Sequence, residues 1–420
     1  MSEPAPLTPL KPLAGLRVLD LSRVLAGPWA GQTLADLGAE VVKVERPGSG
    51  DDTRHWGPPY LANDQGHPTT ESAYFLAANR GKKSVAVDMA HPKGAALLQQ
   101  LAAKADVVLE NFKVGGLKKY GLDYDSLKAM NPALVYCSIT GFGQTGPWAH
   151  RPGYDAMIQA VGGLMSITGE PEATDEGHTA GGPQKVGVAV ADLFTGLYAV
   201  IGIQAALAQR QQTGLGQHVD MALLDVQVAM LGNQALNYLV SGTSPSRMGN
   251  AHPNIVPYQV FATANGHLSL AVGNDGQFTA LCKVLGTEAL ATDPRFATNQ
   301  QRVSHRAELI PLLEEAFAKQ PTAHWLEGLE AAGVPVAPIQ SVEEVFAHPQ
   351  VQHRQMALSM PHPTAGSAPG VASPIKFAGQ PQALPTAPPT LGQHTSQVLA
   401  DWLQLPAGDI AALKEQGVIA

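Results

Sequence analysis

Gly15-Leu-Arg-Val-Leu-Asp-Leu21, Ala26-Gly-Pro-Trp-Ala-Gly-Gln-Thr-Leu-Ala-Asp-Leu37 and Glu40-Val-Val-Lys-Val-Glu45 follow one another near the start of the chain, and their order decides the fold. The first and third are short runs of branched apolar residues, which read as buried strands. The second reads as a helix. Strand, helix and strand in that order make a βαβ unit, two parallel strands joined by a helical crossover. Glu45, at the end of the second strand, would suit a dinucleotide ribose. The first turn, however, reads Ser22-Arg-Val-Leu-Ala-Gly-Pro-Trp-Ala-Gly31 and has no Gly-x-Gly-x-x-Gly. A nicotinamide-dependent oxidoreductase therefore loses its main support. Arg46 places a cation directly after the strand, a setting that suits phosphate.

The alternation continues downstream. Ser84-Val-Ala-Val-Asp88, Ala105-Asp-Val-Val-Leu-Glu110 and Ala133-Leu-Val-Tyr-Cys-Ser-Ile-Thr140 read as strands, with a helix over 92–104. Repeated strand–helix order predicts a doubly wound sheet. Asn111-Phe-Lys-Val-Gly-Gly-Leu-Lys-Lys119 and the glycine-rich Gly141-Phe-Gly-Gln-Thr-Gly-Pro147 fall at the ends where such sheets bind ligands. Lys82, Lys83, Lys113, Lys118 and Lys119 are expected at the same edge, where together they would form an anion site. Residues 47–59 form a loop holding Arg54 and Trp56, which fits either an Ω-loop or a substrate-contacting segment.

Val186-Gly-Val-Ala-Val-Ala-Asp192 leads into an apolar helix that ends at Arg210 and Thr213-Gly-Leu-Gly216. Asp192 is expected at the N-cap, where backbone N–H groups and the helix dipole would favour its ionised form and lower its pKa. Most acidic residues at helix starts are only caps. The small residues Gly187, Ala189, Ala191 and Gly196 leave space around this one, so it could act as a nucleophile toward an acyl group. The apolar segment 193–208 is interrupted by Gly, Gln and Thr and is not read as a membrane span.

Farther on, Gln217-His-Val-Asp-Met-Ala-Leu223 reads as a strand and residues 225–239 as a helix. A long loop follows over 241–254. Tyr258-Gln-Val-Phe-Ala-Thr263 and His267-Leu-Ser-Leu-Ala-Val272 then form a hairpin across Ala264-Asn-Gly266. Helices near 275–287, 304–319 and 322–332 complete a smaller α+β domain. Residues 340–390 are rich in Pro, Gly and His and are expected as an extended return path to a final pair of helices. The expected boundaries are 1–224, completed by 346–420, for a large α/β domain and 225–345 for the small one. Residues 2–13 and 170–185 are expected as a surface-trailing segment and a polar turn region.

The 420 residues carry 45% hydrophobic and 15% charged side chains, enough material for buried cores. A net charge of -8 argues against nucleic acid as the main partner. Cys137 and Cys282 lack metal-ligand spacing, and no metal is expected. The N-terminus lacks the pattern of a secretion signal, so a reducing cytoplasm is the expected compartment.

Several longer stretches are quite specific. They are Pro12-Leu-Ala-Gly-Leu-Arg-Val-Leu-Asp20, Leu34-Ala-Asp-Leu-Gly-Ala-Glu-Val-Val-Lys-Val-Glu-Arg-Pro47, Asp106-Val-Val-Leu-Glu-Asn-Phe112, Ala191-Asp192 before its helix, and Leu391-Gly-Gln-His394. On these the chain resembles the class III CoA-transferase family. On Gly50-Asp-Asp-Thr-Arg-His-Trp-Gly-Pro-Pro59, Tyr136-Cys-Ser-Ile-Thr-Gly-Phe-Gly-Gln-Thr-Gly-Pro147 and Ile255-Val-Pro-Tyr-Gln259 it resembles the succinate–hydroxymethylglutarate (glutarate) branch. The resemblance implies an interlocked, ring-like homodimer of Rossmann-like and small domains, with acyl-CoA as substrate and no permanently bound cofactor. It implies Asp192 as the nucleophile. It implies Ala26, Arg46, Val87, Asp88, Met89, Asn111, Phe112, Lys119 and Tyr154 as CoA contacts, with Tyr154 near the thioester. Leu25 stands where formyl-CoA transferase has a glutamine, and Gly273-Asn-Asp-Gly276 is the nearest match to that enzyme's covering glycine loop.

The implied chemistry moves CoA from an acyl-CoA, expected to be succinyl-CoA, to a carboxylic acid, expected to be dicarboxylic, through aspartyl anhydride and aspartyl-CoA thioester intermediates. Backbone amides at Leu193 are expected to hold the oxyanion. Arg54, Arg247 and His252 are the expected cations for the distal carboxylate. An α-methylacyl-CoA racemase of the same fold is the alternative. Tyr154 weighs against it, because relatives of that type carry histidine there, followed by an aspartate like Asp155. A non-catalytic acyl-CoA-binding protein is a further alternative.

Overall fold

A computed structural model of the chain describes residues 9–171, 181–381 and 383–420. The expected trailing segment and polar turn region fall largely outside the described residues. The chain forms two compact units. The larger takes the residues up to Gly163, Gly187–Ala235 and Pro349–Ala420; the smaller takes Leu164–Val186 and Leu236–His348. Compared with the expected boundaries, the piece 164–186 moves to the smaller unit, and the second crossing falls about a helix later.

In the larger unit the first eight strands are β1 (Arg17–Asp20), β2 (Glu40–Glu45), β3 (Tyr60–Ala62), β4 (Pro68–Ser72), β5 (Lys83–Ala86), β6 (Val107–Glu110), β7 (Val135–Thr140) and β8 (His218–Ala222). Six of them make a sheet in the order β5-β2-β1-β6-β7-β8, parallel throughout. β3 and β4 form a separate hairpin that the sequence reading missed. Strands buried on both faces need continuous apolar runs, and that is what β1, β6 and β7 supply. The strand order reverses between β1 and β6, so a crevice opens beyond their carboxyl ends, where doubly wound sheets bind ligands.

One face of the sheet is covered by helix α1 (Ala26–Asp36) and the long helix Val190–Thr213, through Ala26, Ala30, Leu34, Ala199 and Ile203. The other face is covered by Pro92–Ala103 and the C-terminal helices, through Leu98, Leu101, Val398, Leu399 and Trp402. At 24 residues, Val190–Thr213 is long and apolar enough to cross a membrane by length and composition. One side of it packs against the sheet through Ala199, Ile203 and Ala206, while Phe194, Leu197, Tyr198 and Ile201 are exposed. A Cβ at Gly196 would stand 2.7 Å from the Ala26 carbonyl, so glycine is what lets this helix cross α1 so closely.

Two expectations about local structure change. The helix expected over 225–239 breaks at Gly232, whose φ of 53° ends one helix (Leu223–Met230) before another (Asn233–Ser241) begins. The extended return path holds helices Val342–Ala347 and Pro349–His353 and a hairpin of Ala357–His362 with Gly366–Val371. Pro361 and Pro369 hid that hairpin. In a two-stranded ribbon both strands are edges, so prolines are tolerated there.

The smaller unit packs the antiparallel strands Tyr258–Thr263, Gly266–Ala271 and Val336–Pro338 against helices Asp275–Leu285, Arg306–Phe317 and Thr322–Ala331. Phe261, Phe278, Phe317 and Trp325 sit in its core.

Candidate active site

β1 leaves the sheet at Asp20 and turns through Ser22, Arg23 and Val24 into α1. Two hydrogen bonds clip that turn to the end of β6: Arg23 N–H donates to Asn111 Oδ1 (2.9 Å), and Asn111 Nδ2 donates to the Arg23 carbonyl (2.6 Å). Val24 has a φ of 71°, an outlier for a branched residue, and its N–H points at both oxygens of Asp51 (3.3 Å each). Burial opposes the charge of Asp51. Lys43 at 2.7 Å and the N–H and hydroxyl of Thr53 nevertheless hold its pKa down to about 2. The strained turn therefore rests on a fixed anion.

No side chain caps α1 at Leu25, and the N–H groups of Ala26 and Gly27 have no partner among the described residues. They give the crevice an N-terminal helix turn free to receive negative charge.

That turn lines a pocket of about 410 Å³ at the switch point. Around it stand Arg23 to Ala26, Asn111 to Val114, Thr140 and Gly141, Arg151 to Tyr154, and Asp192. The sheet order thus brings Ala26, Asn111, Phe112, Tyr154 and Asp192 together. Arg46 is exposed at the end of β2, and Lys119 lies exposed in the turn Lys118–Tyr120; neither lines this pocket. Val87 is buried, paired with Ile419, so its side chain is closed to ligand. Asp88 and Met89 are half-buried beyond it. A larger cavity of about 570 Å³, by Asp36, Gly38 and Phe377, contains none of the expected site residues.

Asp192 departs from expectation in two ways. The helix begins at Val190 with Ala189 as its N-cap, so Asp192 lies inside the first turn. Its pKa is raised to about 7, by burial first and then by the nearby charge of Asp155. The cap is supplied from another helix, Asp155–Val161. Asp155 Oδ1 accepts the N–H of Ala191 (2.8 Å) and of Asp192 (3.4 Å), and Asp155 Oδ2 accepts from Gln159 Nε2 (2.6 Å). Leu193 N–H is already committed to the Ala189 carbonyl (3.0 Å) and is not free for an oxyanion.

The expected cations also move. Arg54 is buried, bound to Glu45 (2.7 Å), Glu71 (2.6 Å) and the Pro389 carbonyl (3.0 Å), and packed on Phe75; it is structural. Lys82 is buried against Asp20, and Lys83 starts β5 at the opposite edge, paired with Glu40, so only Lys113, Lys118 and Lys119 remain near the ligand-facing ends. Arg247 and His252 belong to the smaller unit. There Arg247 donates to the Glu170 carbonyl, and His252 stacks on Tyr258. Gly273 and Asn274 do not form a glycine loop: the Asn274 side chain accepts Gln277 N–H and caps the helix Asp275–Leu285.

Arg23, Arg151 and Glu110 were not singled out from the sequence. Burial pushes the Glu110 carboxyl up to about 7, against hydrogen bonds from Ser138 and from Phe112 N–H (2.7 Å). Its place one residue before Asn111 was the available signal.

A sequence model of CoA-transferase family III matches residues 13–395. The chain is 53% identical over 390 residues to succinate–glutarate CoA-transferase of Agrobacterium fabrum, covering 93% of this chain and 95% of that protein. It is 46% identical over 412 residues to succinyl-CoA:glutarate CoA-transferase of Homo sapiens, covering 98% and 90%. The crystal structure of a CAIB/BAIF family protein from Brucella suis superposes with a TM-score of 0.80 at 52% identity, covering 94% of this chain and 100% of that one.

Proposed function

The chain belongs to CoA-transferase family III, and from that premise we propose that it moves CoA from succinyl-CoA to glutarate or a similar dicarboxylic acid, using Asp192 as the acyl acceptor. The observation that carries the assignment is the carboxylate of Asp192 in the switch-point pocket, on a helix turn whose Ala191 and Asp192 N–H groups donate to Asp155. The relatives named for succinate and glutarate support the substrate class.

In the proposed course, an Asp192 oxygen attacks the thioester carbonyl and CoA leaves as thiolate, giving a mixed anhydride. The thiolate attacks the Asp192 carbonyl carbon, forming an aspartyl-CoA thioester and releasing the first acid. The acceptor carboxylate then attacks that thioester and expels the thiolate. The thiolate finally takes the acceptor acyl group and restores Asp192. Partial burial makes the attacking carboxylate less hydrated and more nucleophilic, and the uncapped turn of α1 at Ala26, which lines the same pocket, receives the charge that develops. The Arg23–Asn111 clip holds the turn on which CoA rests.

The exposed apolar stripe Phe194, Leu197, Tyr198 and Ile201 on the long helix supports a homodimer as the working form. A racemase is not favoured, because the relatives reported above are named as CoA-transferases. Succinyl-CoA incubated with a panel of carboxylic acids should yield new CoA esters by mass spectrometry, with glutarate among the best acceptors. Hydroxylamine added during turnover should mark Asp192. A label on another residue, or no transfer to any dicarboxylate, would refute the proposal.

A further inference from the structure

A dicarboxylic acid brings a second carboxylate that takes no part in the chemistry. Left unpaired in a pocket it loses hydration without return, so an enzyme that prefers such acids needs a cation for it. Three cationic side chains line the Asp192 pocket: Arg23, Lys113 and Arg151. Arg23 is committed, 3.0 Å from Asp52 and 5.3 Å over the Phe112 ring. Lys113 directly follows the Asn111–Phe112 pair and belongs to that wall.

Arg151, exposed in the segment that follows β7, stands three residues before Tyr154. Its guanidinium has no acid partner and no hydrogen bond among the described residues. It is held in place all the same. The guanidinium lies 4.2 Å over the Trp148 ring, Trp148 stands edge-on to Phe142 at 5.2 Å, and Phe142 packs on the core. The backbone is fixed by Arg151 N–H to the Trp148 carbonyl (2.9 Å), and Gly153 packs directly on Gly141 at the end of β7. A planar donor fork, stacked and unpaired, is preorganised for a carboxylate.

We propose that Arg151 is the specificity-determining residue that binds the distal carboxylate of the acid while its other carboxylate reacts at Asp192. The inference rests on the functional reading above and narrows it, because the same residue would favour dicarboxylates over monocarboxylates of equal length.

The test compares glutarate with valerate, a five-carbon acid with one carboxylate, in wild type, Arg151→Met and Arg151→Lys. In a ping-pong scheme kcat/KM for the acceptor reports only the second half-reaction, so the donor's own carboxylate does not interfere. Arg151→Met should lower kcat/KM for glutarate on the order of 100-fold and leave valerate within about twofold. Arg151→Lys should recover part of the loss. Inhibition by free CoA should stay unchanged. Equal losses for both acids, an unaffected glutarate rate, or weakened CoA inhibition would each overturn the role. A wild-type enzyme that transfers CoA to valerate but to no dicarboxylate would instead sink the substrate class on which the inference stands.

Discussion

In the proposed course Asp192 must be ionised to attack, yet its surroundings favour the proton. Its folded pKa lies above that of an ordinary carboxylate, so the folded state binds the proton more tightly than the unfolded chain does. The group's contribution to stability is therefore greatest in acid and declines as pH rises from about 4 to about 7. Asp192→Asn should abolish turnover, by on the order of a thousandfold or more. It should also melt no lower than wild type at pH 8, with a gain on the order of 1 kcal/mol. The N-cap position expected from sequence predicts the opposite sign, so calorimetry at pH 8 separates the two. Asp155→Asn removes the neighbouring charge and keeps an oxygen for Ala191 N–H. The acid limb of kcat/KM against pH should then move to lower pH. A limb that stays in place would show that Asp155 does not tune Asp192.

Among the elements, the turn between β1 and α1 depends on a buried charge network. Lys43 touches Asp51 and the Ser22 carbonyl, and Asp20 and Glu45 lie close enough to hold its charge. Lys43→Met leaves several buried carboxylates short of a partner and should cost about 3–5 kcal/mol in urea unfolding. The opposite wall depends on a close backbone contact. A Cβ on Gly141 would stand 2.6 Å from the Gly153 Cα, so Gly141→Ala should cost about 1–3 kcal/mol. It should also raise KM for acyl-CoA, since Tyr154 rides on that loop. An unchanged KM with lowered stability would separate wall position from function.

Over the whole molecule, the chain closes by bringing its last residues back to β5. The last residues seal that edge: Asp88 N–H donates to the Val418 carbonyl (2.8 Å), Ala420 N–H to the Ala86 carbonyl (3.2 Å), and His394 N–H to the Ser84 carbonyl (2.9 Å). Val418 and Ile419 are buried in the core. Deleting residues 417–420 should cost about 3 kcal/mol or more from their apolar burial alone. It should also weaken CoA binding by freeing the strand end that carries Asp88 and Met89. A truncated enzyme with wild-type melting temperature and CoA affinity would refute this closure.

Much of this was legible in the sequence because it is local. Branched apolar runs at β1, β2, β6 and β7 fix strands, their spacing by helices fixes a parallel sheet, and Asp192 after a small-residue run marks itself. The hairpin containing Pro361 and Pro369 was not legible, because proline reads as coil until the strand's edge position is known. Nor was the buried role of Arg54, since a guanidinium in a loop looks like a surface group until Glu45 and Glu71 surround it. Only the tertiary structure decided which side chains share the pocket. Residues 23, 111, 151 and 192 meet through the strand order, and the pKa of Asp192 follows from burial and from a charge 37 residues away. Desolvation and Coulomb terms depend on distance in space, which a sequence does not carry.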